Sequence, residues 1–143
     1  MKELNYFLDS NIFLRPLVKD DPKKTKECEI LFERIKRGEI KAFTSNLILA
    51  EIVWLCSRFY KIEKEEIIKI LRSILYYRNL KIIDKFDPHL ALEIYRKYNI
   101  KFIDALSSSN PKIYQKKAIV VSYDKDFDKI GVIRKEPEDL IKK

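Results

Sequence analysis

Short apolar runs alternate along this chain with longer segments of helical periodicity. The clearest run is residues 118–121, a mostly β-branched stretch typical of a strand buried on both faces. Runs of the same length at residues 5–8, 40–43 and 80–83 predict three more strands, and residues 132–134 predict a last one. Because strands that alternate with helices form βαβ units, the pattern predicts an α/β fold with helices on both faces of a mainly parallel sheet.

The segments between the runs carry the start and stop signals of helices. A helical segment is predicted after Asp9 with its limit at Pro16. A second helix, with start signals at Asp20, Asp21 and Pro22, is predicted to end at Gly38. Further helices are predicted after a cap at Thr44 or Ser45, over residues 63–77, from Asp87 and Pro88, and around Asp104, with Asn110 and Pro111 as a possible interruption.

Size and composition predict one compact domain over residues 1–143. The chain has 46% hydrophobic and 36% charged residues and only two glycines, so no stretch has the composition of a flexible linker. No apolar run approaches the roughly 20 residues that cross a bilayer, and Glu3 beside the first strand argues against a signal peptide. We therefore expect a soluble cytoplasmic protein with no membrane partner. Cys28 and Cys56 are isolated in the sequence, which argues against a zinc site or a disulfide.

Four carboxylates lie in apolar sequence: Asp9, Glu51, Asp104 and Asp124. A buried ionised carboxylate must be paired, hydrogen-bonded or bound to a metal, because its desolvation is otherwise uncompensated. Each of the four by itself could be a turn residue, a helix cap or half of an ion pair. Asp9 and Asp124 nevertheless follow predicted strands, and Glu51 and Asp104 lie early on predicted helices, so all four can meet at the carboxyl ends of the strands. Such a meeting suggests a shared cation.

The segments around these acids resemble the motifs of a known family, the PIN-domain nucleases, and within it the toxin ribonucleases of VapC type. Leu-Asp-Ser-Asn-Ile-Phe-Leu from Leu8 is similar to the family's amino-terminal motif, and the Ser45 to Glu51 segment resembles its second acidic element. Ile-Asp-Ala-Leu from Ile103 and Val-Ser-Tyr-Asp-Lys-Asp-Phe from Val121 resemble the third and fourth elements. Order and spacing agree over nearly the whole chain.

The resemblance implies a three-layer PIN-like domain in which the four acids hold one or two Mg²⁺ or Mn²⁺ ions. Oxygen ligands suit these hard cations, and a bound divalent ion can activate a water for in-line displacement at phosphate. Asn11 and Ser122 are expected to orient the carboxylates, although both could instead make local turn bonds. Asp126 either joins the site or caps the turn that follows it. The only histidine, His89, is at a helix start, which disfavours a histidine-based nuclease.

The leading hypothesis is a metal-dependent endoribonuclease, the toxin of a type II toxin–antitoxin pair. RNA as substrate, a small antitoxin as partner and a homodimer are implied by the resemblance. The net charge of +8 suits a polyanionic partner, but the Lys-, Glu- and Ile-rich composition also resembles that of proteins from hot habitats. The alternatives are a housekeeping RNA-processing nuclease with the same site and a non-catalytic RNA- or protein-binding module.

Overall fold

The structure is a computed structural model and describes residues 5–142. Within that range five strands form one sheet: β1 (Asn5–Leu8), β2 (Ala42–Thr44), β3 (Leu80–Ile82), β4 (Ala118–Val121) and β5 (Arg134–Lys135). Their order is β3-β2-β1-β4-β5, and every neighbouring pair is parallel. The predicted parallel sheet is confirmed.

The helices connect and follow these strands. They are α1 (Ser10–Val18), α2 (Pro22–Lys36), α3 (Asn46–Trp54), α4 (Lys64–Leu75), α5 (Pro88–Lys97), α6 (Phe102–Ser108), α7 (Pro111–Tyr114), α8 (Asp126–Ile130) and α9 (Pro137–Ile141), with a π-helical turn over Leu55–Phe59 after α3. Side-chain caps start several of them, because Asp21, Ser45 and Asp87 each accept a hydrogen bond from a backbone N–H of the first turn. These three starts were predicted from the sequence.

The strand order reverses between β1 and β4. From β1 the chain adds β2 and β3 on one side, and it then crosses back to add β4 and β5 on the other side. Since crossover connections between parallel strands are right-handed, α1 to α4 cover one face and α5 to α8 cover the other. The contacts agree, because α1 packs on α2 and α3, whereas α6 packs on α5, α7 and α8.

Several predicted boundaries are wrong by a few residues. α1 continues through Pro16 to Val18. The proline keeps a helical φ and removes one backbone donor, but the helix still ends on a bond from the Lys19 N–H to the Arg15 carbonyl. β2 begins at Ala42 rather than at residue 40, because its ladder with β1 pairs Ala42 with Tyr6. The last strand is Arg134–Lys135 rather than residues 132–134, because Arg134 lies opposite Val120. The helix α9 was not predicted.

The core lies on both faces of the sheet. Phe7, Ile52, Val120 and Phe127 are almost completely buried, and the free thiol of Cys28 is buried among them, as expected for a core cysteine. Over residues 5–142, none of the helices has the length and apolar character that crossing a bilayer requires.

Candidate metal centre

The site lies where the order of the strands reverses. β1 and β4 are parallel neighbours, and Leu8 at the end of β1 lies opposite Val121 at the end of β4. The next residues, Asp9 and Ser122, therefore leave the same edge of the sheet side by side. The carboxyl edge at a point of reversal is where ligands bind in open α/β sheets, because the two connections diverge there and leave a crevice.

Asp9 is held by three donors. Its side chain is buried, with 4% of the residue exposed. One oxygen accepts a hydrogen bond from the Ser10 backbone N–H at 2.9 Å, and the other accepts from Ser122 Oγ at 2.7 Å and from Asn11 Nδ2 at 3.3 Å. Burial raises the pKa of Asp9 to about 6, although the Ser122 hydroxyl opposes the rise. The roles predicted for Asn11 and Ser122 as orienting groups agree with these bonds.

The segment after β4 contributes Asp124 and Asp126 to the same edge of the sheet as Asp9. Ser122 Oγ accepts a hydrogen bond from the Asp124 backbone N–H at 2.9 Å, and Asp124 Oδ1 accepts one from the Asp126 backbone N–H at 2.9 Å. Arg134 Nη1 donates to the Ser122 carbonyl at 2.9 Å and so ties the loop to β5. Asp124 is partly buried, with 24% of its side chain exposed.

Glu51 lies on α3, the helix that follows β2. Thr44 at the end of β2 donates its hydroxyl to the Leu8 carbonyl at 2.9 Å, and Ser45 then caps α3. Glu51 lies one turn and a half into that helix and keeps 14% of its side chain exposed. Its negative charge contributes to the raised pKa of Asp9, so the two carboxylates are close enough to repel each other.

Asp104 is the least compensated of the acids. It lies in the first turn of α6, only 2% of the residue is exposed, and Oδ2 has no hydrogen-bond partner among residues 5–142. Burial, followed by the negative charge of Asp9, raises the pKa of Asp104 to about 8, while Lys101 opposes the rise. A buried carboxylate oxygen without a donor is rare in native proteins, and a cation would satisfy it.

One lysine lies among the four carboxylates. Lys101 Nζ is 3.9 Å from Glu51 Oε2 and 3.8 Å from Asp124 Oδ2. Partial burial alone would lower the pKa of Lys101, but the charges of Asp104, Glu51, Asp124 and Asp9 raise it above its ordinary value. Within the described part of the chain, no other lysine or arginine is within 4.0 Å of these four acids. The acids are therefore not each neutralised by a base of their own.

The residues fit a hard divalent cation. Ligand oxygens of Asp104, Asp124 and Asp126 all lie within 4.8 Å of one another, and Asp9 and Glu51 adjoin this group through the charge interactions described above. Carboxylates are the ligands that Mg²⁺ and Mn²⁺ prefer. The unsatisfied Oδ2 of Asp104 supplies an independent reason for an ion in this position.

The structure thus places the four acids named from the sequence at one edge of the sheet, with Asn11, Ser122 and Asp126. Among residues 5–142, the ligand oxygens within 4.8 Å of one another belong to Asp104, Asp124 and Asp126, and Asp9 and Glu51 lie outside that group. Asp126 has a larger part in the site than the sequence indicated, because its carboxylate lies close to those of Asp104 and Asp124. Lys129 Nζ lies 3.1 Å from the Asp126 carboxylate. The sequence analysis missed Lys101. The only available signal was its position three residues before Asp104, which does not distinguish it from the other lysines.

A family model described as PIN domain matches residues 6–133. The match covers most of the chain, which therefore belongs to the PIN domain family. Within that family the chain is similar to proteins named as VapC ribonucleases. It is 27% identical over 124 residues to the VapC ribonuclease of Aquifex aeolicus, a match covering 87% of this chain and 90% of that protein. It is 29% identical over 146 residues to ribonuclease VapC2 of Methanocaldococcus jannaschii, with 93% of each chain covered.

Solved structures share the fold. One is VapBC2 from Rickettsia felis bound to a DNA fragment from their promoter, with a TM-score of 0.64 and 24% identity. Another is FitAcB from Neisseria gonorrhoeae, with a TM-score of 0.63 and 14% identity. Each match covers 93% of this chain and 98% of the other. The predicted PIN-like α/β fold is confirmed.

Proposed function

We propose that this protein is a metal-dependent endoribonuclease that cleaves RNA phosphodiester bonds by means of an activated water, and that it is the toxin of a type II toxin–antitoxin pair. The observation that carries the proposal is the meeting of Asp9, Glu51, Asp104 and Asp124 from four distant segments around a single shared lysine. Similarity to proteins named VapC ribonuclease supports RNA as the substrate.

The four acids would hold Mg²⁺ or Mn²⁺, with Asp126 beside them. When bound, such an ion supplies a water of lowered pKa and neutralises charge on the phosphate. Ser122 and Asn11 hold the Asp9 carboxylate in one orientation, so that its oxygens face the site without reorganisation. Asp104 Oδ2 accepts no hydrogen bond within residues 5–142 and is available as a ligand.

The proposal is tested by RNA cleavage with purified protein. Mg²⁺ or Mn²⁺ should be required, and Asp9→Asn or Asp104→Asn should abolish cutting, because either change removes a ligand charge without changing side-chain size. Asp20→Asn is the matched control, since Asp20 is exposed and pairs with Arg15 outside the site. Cleavage by the two site variants at the rate of the control would refute the proposal.

The non-catalytic alternative makes a different prediction. A module that only binds RNA or protein would bind no Mn²⁺ in titration calorimetry and would keep its RNA affinity after Asp104→Asn. The housekeeping alternative uses the same site, and a gene for a small antitoxin next to the gene of this protein would favour the toxin.

We propose an apolar groove as the binding site of the antitoxin. It has a volume of about 270 Å³ and is lined by apolar residues of α1, α2 and α4, including Phe13, Leu17, Phe32 and Ile74. Leu17 is 41% exposed at its rim. If an antitoxin binds there, Leu17→Glu should prevent co-purification with the neighbouring gene's product and leave RNA cleavage intact.

A homodimer is also part of the proposal. Leu92, Tyr95 and Phe102 form an exposed apolar surface on α5 and the start of α6, where the rings of Tyr95 and Phe102 meet edge to face. Exposed apolar groups of this kind favour self-association.

We also propose a single domain over residues 1–143, which the one sheet with its helices supports, and we propose that the protein works in the cytoplasm.

A further inference from the structure

The ammonium group of Lys101 lies close to two of the carboxylates of the site. It lies almost equally far from Glu51 Oε2 and Asp124 Oδ2, at 3.9 Å and 3.8 Å. Both distances exceed those of a hydrogen bond, so charge attraction holds the ammonium there without a directed bond. Such a contact between partly exposed groups is weak and reversible.

The backbone of Lys101 is fixed, whereas its side chain is free to turn. The Lys101 carbonyl accepts hydrogen bonds from the backbone N–H groups of Asp104 and Ala105 at the start of α6. The side chain is 59% exposed, and a lysine stem has four rotatable bonds with a compact charge at its end. The ammonium can therefore reach outward from the acids without a change in the fold.

An ion held by Glu51 and Asp124 would need the space near their oxygens that the Lys101 ammonium now fills, so the two carboxylates could not bind both partners in the same way. On the basis of the proposed function, we propose that Lys101 fills this space in the metal-free protein and turns to the RNA phosphate next to the scissile bond when the carboxylates bind the ion. Lys101 is then both a competitor of the ion and a substrate-binding residue.

The proposal predicts opposite effects of one substitution on two affinities. Lys101→Met keeps the length of the aliphatic stem and removes the charge. In titration calorimetry, the variant should bind Mn²⁺ several-fold more tightly than the wild type, since a competing charge about 4 Å from two ligands is gone. Lys101→Arg should restore the competition.

The second measurement is the affinity for a short single-stranded oligouridine in the presence of Ca²⁺. Lys101→Met should weaken this binding about five- to tenfold and lower the salt dependence by roughly one phosphate contact, as expected for the loss of a single lysine–phosphate pair. Lys69→Met is the matched control, because Lys69 is an exposed lysine of α4. It should change neither affinity.

Each outcome is decisive. Tighter Mn²⁺ binding with weaker RNA binding supports the proposal. Unchanged RNA affinity overturns the phosphate contact. Unchanged or weaker Mn²⁺ binding overturns the competition, and weaker binding makes Lys101 a group that orients the acids. In both cases the nuclease proposal stands as long as the wild type binds Mn²⁺. If the wild type binds no Mn²⁺, both proposals fail. Thermal denaturation of Lys101→Met distinguishes these outcomes from misfolding.

Discussion

Replacing Asp104 by asparagine is expected to stabilise the metal-free protein at alkaline pH, although the same change should abolish catalysis. Asp104 is 2% exposed, and its Oδ2 has no donor among residues 5–142. Burial, followed by the charge of Asp9, raises its pKa from 3.8 to about 8. When this group ionises, the folded protein must therefore bury a charge that Lys101 compensates only in part.

The direction of the effect follows from proton binding. The unfolded chain loses this proton near its ordinary pKa, whereas the folded chain keeps it up to a pKa of about 8. Between those values the folded state binds more protons, so the contribution of Asp104 to stability falls as the pH rises and is lowest above about pH 8. Asparagine is neutral at every pH and carries no such penalty.

The size of the effect can be bounded. A difference of one in pKa corresponds to about 1.4 kcal/mol, so the interval from 3.8 to about 8 gives an upper bound of about 6 kcal/mol. Local relaxation reduces penalties of this kind, and we expect about 2–4 kcal/mol in the free energy of unfolding.

The assay is urea denaturation in the presence of EDTA at about pH 5 and about pH 8.5. The stability advantage of Asp104→Asn over the wild type should grow between the two pH values. Asp20→Asn is the control and should show no such growth, because Asp20 is exposed. An equal loss of stability in the wild type and Asp104→Asn would refute the reasoning that Asp104 ionises at a cost. Mn²⁺ should remove the difference by stabilising the wild type more.

Three further outcomes are expected. Ser122→Ala removes the closest donor to Asp9, at 2.7 Å, and should cost about 1–3 kcal/mol in unfolding free energy and about 10- to 100-fold in Mn²⁺ affinity by calorimetry. Arg134→Met removes the bond to the Ser122 carbonyl and the ion pairs with Asp128 and Glu136, and should lower stability by about 2–4 kcal/mol in urea, with activity lost only in proportion to unfolding. EDTA should stop RNA cleavage and Mn²⁺ should restore it; cleavage that continues in EDTA would contradict a metal mechanism.

Much of the fold could be predicted because its signals are local. β1 and β4 were predicted with the bounds that the structure has, since each is a short apolar run between turn residues. The starts of α2, α3 and α5 follow from caps at Asp21, Ser45 and Asp87, whose side chains bond to backbone a few residues away. Boundaries that depend on a distant partner were wrong, such as that of β5, whose bounds are set by its pairing with β4.

The sequence singled out the four candidate acids, but not their arrangement or the groups around them. The four acids stand out because each has apolar neighbours in the sequence, where a charge is costly. The hydrogen bond from Ser122 to Asp9 joins residues 113 positions apart, and no local pattern could show its geometry. Lys101 and the position of Asp126 could not be identified either, because charged residues make up 36% of this chain and nothing in the local sequence distinguishes these two.

The sequence by itself therefore determined the elements and the acidic groups, since caps, apolar runs and the cost of a carboxylate in apolar surroundings act over short distances along the chain. Only the tertiary structure decided which strands are neighbours, which carboxylates lie at the sheet edge where β1 and β4 end, and which lysine lies beside those carboxylates. Those features depend on how distant segments pack, because charge attraction and hydrogen bonding depend on separation in space.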